Sequence, residues 1–317
     1  MSSWRPTAQI ATLEVRAQLL RAIREYFVAT RTLEVETPTL SRAAVTDVHL
    51  ASVEARVNGQ PRYLHTSPEY AMKRLLAAGC ADIYQIARVY RDGEAGRLHN
   101  PEFTLIEWYR LGIDHHTLMS DVERLITAVL PAERNFDRAE RLSYREAVQL
   151  HAGVDPFDDP LPVLIARLEN DGIEVPRSIS QDRDACLDLL MSTLVGPRLG
   201  WDRLSFVYDY PRSQAALARI RGPVASRFEA YLQGMELANG FHELGNATEQ
   251  RNRFESDLRA RQLRELPSMP IDEQFLAALA HGLPDCAGVA LGFDRLAMCA
   301  VGASHIDEVL AFPFERA

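Results

Sequence analysis

The sequence predicts a single-domain α+β fold in which paired strands and amphipathic helices share one core. Two β-rich runs, 83–90 and 103–109, are separated by a polar loop and predict a hairpin. Apolar residues recur at helical spacing over 12–30, which predicts an amphipathic helix. No repeat period and no Pro/Ser-rich linker divides the 317 residues, so we expect one domain over 1–317.

The composition predicts a soluble, cytoplasmic protein. The chain is 47% hydrophobic and 25% charged, and its formal net charge of −9 disfavours a broad nucleic-acid-binding surface. The most apolar long run, 287–303, is interrupted by Asp294 and Arg295, so no contact with a membrane is expected. The N-terminus lacks a signal peptide, and the four cysteines lack metal-type spacing, which indicates buried, reduced thiols.

The first third of the chain alternates between predicted helix and predicted strand. After the first helix, residues 33–36 alternate like a short strand, and 45–57 resembles further strand. The next helix is expected to open at Ser67, Pro68 and Glu69. Ser67 suits the N-cap, Pro68 the first helical position and Glu69 the positive end of the helix dipole. A purely structural role in starting the helix is one interpretation of these three residues.

The middle of the chain predicts a helical insertion at about 118–199. Its predicted helices cover 118–130, 144–151, 161–171 and 183–194, with turn-rich segments between them. His115 and His116, just before the insertion, are expected to be solvated loop residues rather than ligands. A strand over 204–210 and an Ala-rich helix over 214–220 are predicted to follow.

The loop of the central hairpin has the polar residues of a binding site. These residues are Arg91, Asp92, Glu94, Arg97, His99 and Asn100. The loop is about twice as long as a hairpin turn needs, and it carries charges of both signs. In the second run, period-two alternation puts Phe103, Leu105, Glu107 and Tyr109 on one face, which suits a ligand with an aromatic part and a cationic part. The alternative is an amphipathic hairpin whose polar residues merely face water.

Two stretches near the C-terminus add candidates for binding metal and phosphate. Glu236 and Glu243 are an odd number of residues apart, so they share a face only if a bulge or bend, expected at Gly240, brings them together. Two convergent carboxylates beside a phosphate site would suit Mg²⁺, whereas the alternative is a pair of solvent-facing charges on an edge strand. Gly292 and Arg295, at the start of a helix, favour close approach of an anion.

Together these stretches resemble the catalytic domain of class II aminoacyl-tRNA synthetases, and the lysyl enzyme most closely. The three class signatures occur in order as LEVETP, VYRD…HNPEFTLIEWY and GVALGFDRL, and TSPEYAMKRLL and ELANGFHEL are lysyl-like. The resemblance implies the class II synthetase catalytic fold, a mainly antiparallel sheet flanked by helices. It also implies a homodimer that forms through the first signature, at 12–38.

An anticodon-binding domain is expected to be absent, because the helix before the first signature begins within about a dozen residues of Met1. With the acidic net charge, this makes tRNA an unexpected acceptor. The chain therefore resembles the free-standing ligases of this family. The resemblance implies that ATP, with Mg²⁺, activates (R)-β-lysine as an adenylate. It further implies transfer of the β-lysyl group to the ε-amino group of a lysine of translation elongation factor P.

By the same resemblance, the site residues form two sets. Substrate binding is assigned to Ser67, Pro68, Glu69, Glu107, Tyr109 and Glu243. ATP binding is assigned to Arg91, Asp92, Gly93, Asn100, Phe103, Glu236, Leu237, Gly292 and Arg295. Arg91 and Arg295 are the catalytic residues because they hold the α- and γ-phosphates, and Phe103 stacks on adenine. Glu236 and Glu243 are the implied Mg²⁺ ligands.

The chain departs from the lysyl pattern at four positions. Gly93 stands where a glutamate is usual, and Glu94 follows it; Leu98 stands where an arginine is usual. Ala238 and Ala290 replace glycines, and the added methyl groups are consistent with a pocket for a β-amino acid. The alternatives are a truncated lysyl-tRNA synthetase or another free-standing aminoacyl-adenylate former, and a non-catalytic synthetase paralogue.

Overall fold

The computed structural model describes residues 4–132, 136 and 138–317. Its α-helices are α1 (Ile10–Ala29), α2 (Glu69–Ala77), α3 (His115–Val129), α4 (Tyr144–Ala152), α5 (Leu161–Asn170), α6 (Arg183–Leu190), α7 (Ala247–Leu263), α8 (Glu273–Gly282) and α9 (Phe293–Val301). Its strands are β1 (Leu33–Glu34), β2 (Leu40–Ser41), β3 (Glu54–Val57), β4 (Gln60–Leu64), β5 (Ile83–Tyr90), β6 (Glu102–Leu111), β7 (Glu140–Ser143), β8 (Ser205–Pro211), β9 (Ile220–Arg221), β10 (Val224–Leu232), β11 (Met235–His242) and β12 (Cys286–Gly292). Within these described ranges, no helix combines the length and apolarity needed to span a bilayer.

A nine-stranded sheet forms the centre of the molecule. Its strands follow the order β1-β5-β6-β12-β11-β10-β8-β7, and β9 pairs with β10. The end pairs β1–β5 and β7–β8 are parallel, and the pairs between them are antiparallel. Strands β2, β4 and β3 form a separate small sheet. The predicted α+β class, with a mainly antiparallel sheet and flanking helices, is confirmed.

Helices α1, α3 and α9 cover one face of the large sheet with an apolar core. Phe27 of α1 stacks on Tyr84 of β5, with 4.1 Å between the ring centroids. The Asp121 carboxylate of α3 accepts hydrogen bonds from Trp108 Nε1 at 3.0 Å and from Arg110 Nε at 2.7 Å. Burying one such aromatic side chain stabilises the fold by roughly 1.5–3 kcal/mol. Because this face is closed, the opposite face of the sheet is left for ligands.

The predicted helical insertion, 118–199, has two parts with different cores. Helix α3 packs with α1 and α9 against the large sheet. Helices α4, α5 and α6 form a second core with β8, and α6 continues as a π-helix over Met191–Val195. Strand β7 joins this part to the edge of the large sheet. Residues 133–135 and 137 of the predicted insertion lie outside the described residues.

Two predictions about local structure are wrong. The helix predicted over 214–220 is absent, and one 3₁₀ turn followed by β9 takes its place. Ala216 has a φ of +47°, which a helix does not allow, and Ala218 forms a β-bridge with Glu243. The backbone of this segment therefore makes bridge hydrogen bonds rather than helical ones. Of the strand predicted over 45–57, only the last four residues, which form β3, are extended and paired.

Candidate active site

A cleft of about 1740 Å³ opens over the uncovered face of β6, β11 and β12. The starts of α2 and α8, part of α7 and the loop of the β5–β6 hairpin surround it. The predicted site residues that line it are Ser67, Pro68, Glu69, Arg91, Asn100, Phe103, Glu107, Tyr109, Glu236, Leu237, Glu243, Gly292 and Arg295. Asp92 and Gly93 lie outside its lining.

A bulge in β11 brings Glu236 and Glu243 to the same side of the sheet. The pairing with β10 skips Leu237, and one extra residue reverses the alternation of side chains along a strand. The bulge is therefore at Leu237 and not at Gly240, where it is predicted. Gly240 pairs regularly, and a Cβ there would lie 2.5 Å from the ring of Phe228. Since β11 is a central strand, the edge-strand alternative is wrong.

Two hydroxyl groups hold the carboxylate of Glu107. Ser67 Oγ donates to Glu107 Oε2 at 2.6 Å, and Tyr109 Oη donates to Glu107 Oε1 at 2.7 Å. Helix α2 begins at Glu69, with Pro68 rather than Ser67 in the N-cap position, although Ser67 Oγ accepts from the backbone N–H of Glu69 at 3.0 Å. Ser67 therefore does more than start a helix, since it connects α2 to Glu107. Glu107 is 2% exposed, which contradicts a hairpin whose polar residues merely face water.

Lys73, which is absent from the predicted site residues, connects two of the predicted carboxylates. Its Nζ lies 2.6 Å from Glu69 Oε1 and 2.6 Å from Glu243 Oε2. The side chain of Lys73 is 0% exposed and that of Glu243 is 1% exposed. Glu69 and Lys73 are four residues apart on one helix face, and this spacing is the feature of the sequence from which their contact could have been predicted. The contact with Glu243 joins distant elements and leaves no local pattern.

Burial alters the protonation of this group of side chains. Burial, together with the negative charge of Glu69, raises the pKa of Glu107 to about 7. Burial also raises the pKa of Glu243 to about 8, against the opposing effect of Lys73. Burial alone would lower the pKa of Lys73, but the charges of Glu243 and Glu69 raise it above its usual value. When all four groups are ionised, the pocket retains two negative charges, which a cationic ligand would neutralise.

The other end of the cleft carries two arginines. The guanidinium of Arg91 lies over the ring of Phe103, 5.0 Å from its centroid. Arg295 donates to the backbone carbonyl of Glu236 at 2.7 Å and to His99 Nε2 at 2.7 Å. Burial and the positive charges of Arg295 and Arg91 lower the pKa of His99. Both arginines thus line the cleft, and the charges of both act on His99.

The remaining predicted residues shape the hairpin loop. The Asn100 carboxamide donates to a backbone carbonyl two residues further on at 2.6 Å and accepts from the backbone N–H of Phe314 at 2.9 Å. Gly93 has a φ of +76°, which favours glycine, and the backbone N–H of Asp92 donates to the carbonyl of Ala51, in the segment before β3, at 2.8 Å. Glu94 lines the cleft, and its Oε1 lies 3.4 Å from the Arg91 Nη1 atom. Of the acidic positions in this loop, Glu94 is thus the one beside an arginine of the cleft.

Comparison with known proteins identifies the family. Residues 2–316 match the sequence model of the family described as tRNA synthetases class II (D, K and N). A relative from Vibrio cholerae serotype O1, named elongation factor P–(R)-β-lysine ligase, is 48% identical over 100% of this chain and 99% of its own length. Relatives of the same name from Vibrio atlanticus and Yersinia enterocolitica are also 48% identical, over 99% or more of this chain and 99% of their own lengths. The chain therefore belongs to the class II tRNA synthetase family.

Proposed function

We propose that the protein is an AMP-forming ligase that activates (R)-β-lysine with ATP and transfers it to elongation factor P. The acceptor is the ε-amino group of one lysine of that factor. Relatives that are 48% identical over nearly the whole chain carry this substrate and this acceptor in their names. The shared family and the cleft described above support adenylate chemistry.

The charge of the pocket is the observation that carries this proposal. Lys73 lies between Glu69 and Glu243, and Glu107 lies in the same pocket. When all three carboxylates are ionised, two negative charges are left for the ligand. A lysine-like amino acid carries two ammonium groups, and each needs an acceptor when it leaves water. The pocket therefore matches a diamino acid in charge. A substrate with one ammonium group would leave a buried carboxylate unpaired.

The opposite end of the cleft is suited to ATP. In the first half-reaction, an oxygen of the amino-acid carboxylate bonds to the α-phosphorus, and the bond to pyrophosphate breaks. This step depends on positioning and on stabilising negative charge. We assign the α-phosphate and the amino-acid carboxylate to Arg91, the γ-phosphate to Arg295 and the adenine to Phe103, because these side chains lie together at that end.

In the second half-reaction, the ε-amino group of the acceptor lysine bonds to the carbonyl carbon of the adenylate, and AMP leaves. The mixed anhydride is an activated acyl group, so positioning of the amine contributes most of what the protein must supply. Arg91 is assigned to the departing phosphate, where its guanidinium stabilises the negative charge. Glu107 and Glu243 keep the β-lysyl group in place during transfer.

Mg²⁺ is proposed to accompany ATP. Glu236 is a fitting ligand because its side chain is 40% exposed and lies beside Arg295 at the triphosphate end. Glu243, the second ligand that the resemblance implies, lies seven residues further along the extended strand and is held by Lys73 Nζ at 2.6 Å, so it is not placed to share an ion with Glu236. Magnesium usually takes one or two protein carboxylates and completes its shell with phosphate oxygens and water, and it would neutralise phosphate charge.

We also propose that the protein is a cytoplasmic homodimer without a tRNA partner. Helix α1 buries Leu19, Ile23 and Phe27 against the sheet. It leaves two apolar side chains near its ends, Ile10 and Val28, exposed by 63% and 73%, and a protein partner would cover them. A second copy is the partner that the first class signature implies. The cytoplasm is the compartment in which a translation factor is available as acceptor.

The proposal is tested by incubating the protein with ATP, (R)-β-lysine and elongation factor P. Mass spectrometry should show one β-lysyl unit on the factor, and pyrophosphate exchange should be faster with (R)-β-lysine than with α-lysine. Arg295→Ala and Glu243→Ala should abolish exchange because each removes a charge on which substrate binding depends. Arg259→Ala, which removes an exposed arginine of α7 outside the cleft lining, is the matched control and should retain activity.

Other outcomes would select the alternatives. Exchange followed by transfer to tRNA, and none to elongation factor P, would identify a truncated synthetase. Exchange with transfer only to a small amine would identify another free-standing adenylate former. Absence of exchange with both amino acids would identify a non-catalytic paralogue. Wild-type exchange by Arg295→Ala would show that the triphosphate lies elsewhere.

A further inference from the structure

A second group of polar side chains lies at the start of α3 and on β8, outside the lining of the cleft. It consists of His115, His116 and Asp209. One ligand atom from each residue lies within 4.8 Å of the others, and among the described residues no other group of three histidine, cysteine or acidic side chains meets this condition. His115 is 2% exposed and is the first residue of α3, so the expectation of a solvated loop residue is wrong for it.

Local structure explains why these three residues meet. Asp114 caps α3 by accepting from the backbone N–H of Thr117 at 2.9 Å. His115 and His116 are therefore the first two residues of the helix. Their rings are 4.1 Å apart, centroid to centroid. Asp209 has a φ of +58° at the place where the β8–β10 register shifts. This left-handed residue presents its carboxylate to the helix, with Oδ1 3.3 Å from His115 Nε2.

The geometry suits a small tetrahedral metal ion. Ligand atoms at 2.0–2.1 Å from a tetrahedral metal are about 3.3–3.4 Å apart, and the His115–Asp209 distance of 3.3 Å equals such an edge. Nε2 is therefore the nitrogen of His115 that would bind the ion, since the two nitrogens of one imidazole point apart and cannot share it. The ligand atoms of all three residues lie within 4.8 Å of one another.

We propose that His115, His116 and Asp209 bind one divalent transition-metal ion, for which zinc is the best match. Two imidazoles and one carboxylate, with a fourth position open to water, are typical zinc ligands. Magnesium and calcium prefer a shell made entirely of oxygen atoms. The ion would connect the start of α3 in the helix layer to β8 in the sheet.

Neighbouring charges set the expected strength of this site. Asp114, the N-cap residue directly before His115, adds a negative charge that favours a cation. Arg141, which donates to the backbone carbonyl of His116 at 3.3 Å, and the N-terminal end of α3 oppose one. Three protein ligands and this balance of charges predict weaker binding than at a closed structural zinc site with four ligands.

The test is to titrate the chelator-treated protein, freed of chelator, with ZnCl₂ and to measure stoichiometry by calorimetry. The wild type should bind one more equivalent of zinc than His116→Ala and Asp209→Asn. The matched control is His281→Ala, which removes an exposed histidine of α8 and should bind as the wild type does. Asparagine tolerates the left-handed backbone of residue 209, so Asp209→Asn keeps the fold while weakening the ligand.

Thermal unfolding gives an independent measurement. At about a hundredfold excess of zinc over Kd, the Tm of the wild type and of His281→Ala should rise by roughly 5 °C. The rise should be lost in His116→Ala and Asp209→Asn, whose folding without zinc is checked by circular dichroism. Co²⁺ should give the absorption of a tetrahedral site in the wild type, and this absorption should be absent in His116→Ala and Asp209→Asn. Equal zinc stoichiometry and affinity in the wild type and both ligand variants would overturn the proposal.

Discussion

The ammonium group of Lys73 lies between the carboxylates of Glu69 and Glu243, in a part of the cleft that water barely reaches. Removal of one member of a buried ion pair leaves the other charge uncompensated. Lys73→Met should therefore lower the free energy of unfolding by about 3–5 kcal/mol at pH 9, where Glu243 is ionised in the wild type, measured by urea denaturation. Arg74→Ala, at the exposed next position of α2, should change it by less than about 0.5 kcal/mol. Equal losses in the two variants would disprove the importance of the pair.

The pKa values of about 7 for Glu107 and about 8 for Glu243 lie above the ordinary value of 4.5. The folded, ligand-free protein therefore holds these protons more tightly than the unfolded chain. This contribution to stability is fully present below the ordinary pKa and is lost as the pH rises through the two folded-state values. A dicationic substrate needs both carboxylates ionised, so its KM should fall as the pH rises through the same range.

Pyrophosphate exchange with (R)-β-lysine across this pH range measures that KM. Glu107→Gln removes the carboxylate but keeps its size, so it should weaken binding and reduce the dependence of KM on pH. A KM that is constant for the wild type while kcat varies would show that these glutamates do not face the substrate.

Ala290 lies between Asn239 of β11 and Glu107 of β6 in the paired strands. Its methyl group therefore stands in the floor of the proposed amino-acid pocket. Ala290→Gly should reduce the preference for (R)-β-lysine over α-lysine by about tenfold or more, since one methyl group is worth about 1–3 kcal/mol in such discrimination. The ratio of the two kcat/KM values measures this, and an unchanged ratio would remove Ala290 from the specificity determinants.

At the scale of elements, the glycine at position 288 of β12 leaves room on the sheet face for two side chains of neighbouring segments, Tyr109 and Glu243. A Cβ on Gly288 would lie 2.2 Å from the Tyr109 ring and 2.6 Å from Glu243 Oε1. Gly288→Ala should therefore displace both side chains, lower exchange activity by more than tenfold and cost about 1–3 kcal/mol of stability. In Gly245→Ala, the new methyl group meets its nearest neighbour at an ordinary 3.7 Å, so this control should be nearly neutral. Full activity in Gly288→Ala would contradict the assigned position of the substrate.

Elements with a clear period were predictable, and those without one were not. The hairpin strands β5 and β6 and helix α1 follow their predicted ranges within a few residues. Helix α7 escaped prediction because its apolar residues do not form a stripe. It buries Phe254 together with the polar Gln250 and Arg261. The guanidinium of Arg261 donates to the backbone carbonyls of Asp47 and Pro267. Both acceptors lie outside the helix, so the spacing of residues within α7 does not predict these contacts.

At the scale of the whole molecule, the proposed dimer gives a further prediction. Val28 on α1 is 73% exposed and lies beside a groove lined by residues of the same helix. Val28→Glu should place a charge in the dimer interface and shift the protein from dimer to monomer in sedimentation velocity runs. Leu263→Glu, at an 87% exposed position on α7, is the control and should remain dimeric. A monomeric wild type would refute the proposed dimer.

The sequence alone determined the family, through the resemblance of its motifs, and 13 of the 15 site residues that it named line the cleft, because such motifs are short local patterns that can be read along the chain. Only the tertiary structure decided that Lys73 neutralises Glu243, that the bulge falls at Leu237, and that Asp209 meets His115. Each of these depends on strand register or on packing between distant elements. Such contacts are set by the fold as a whole, and no short stretch of sequence specifies them.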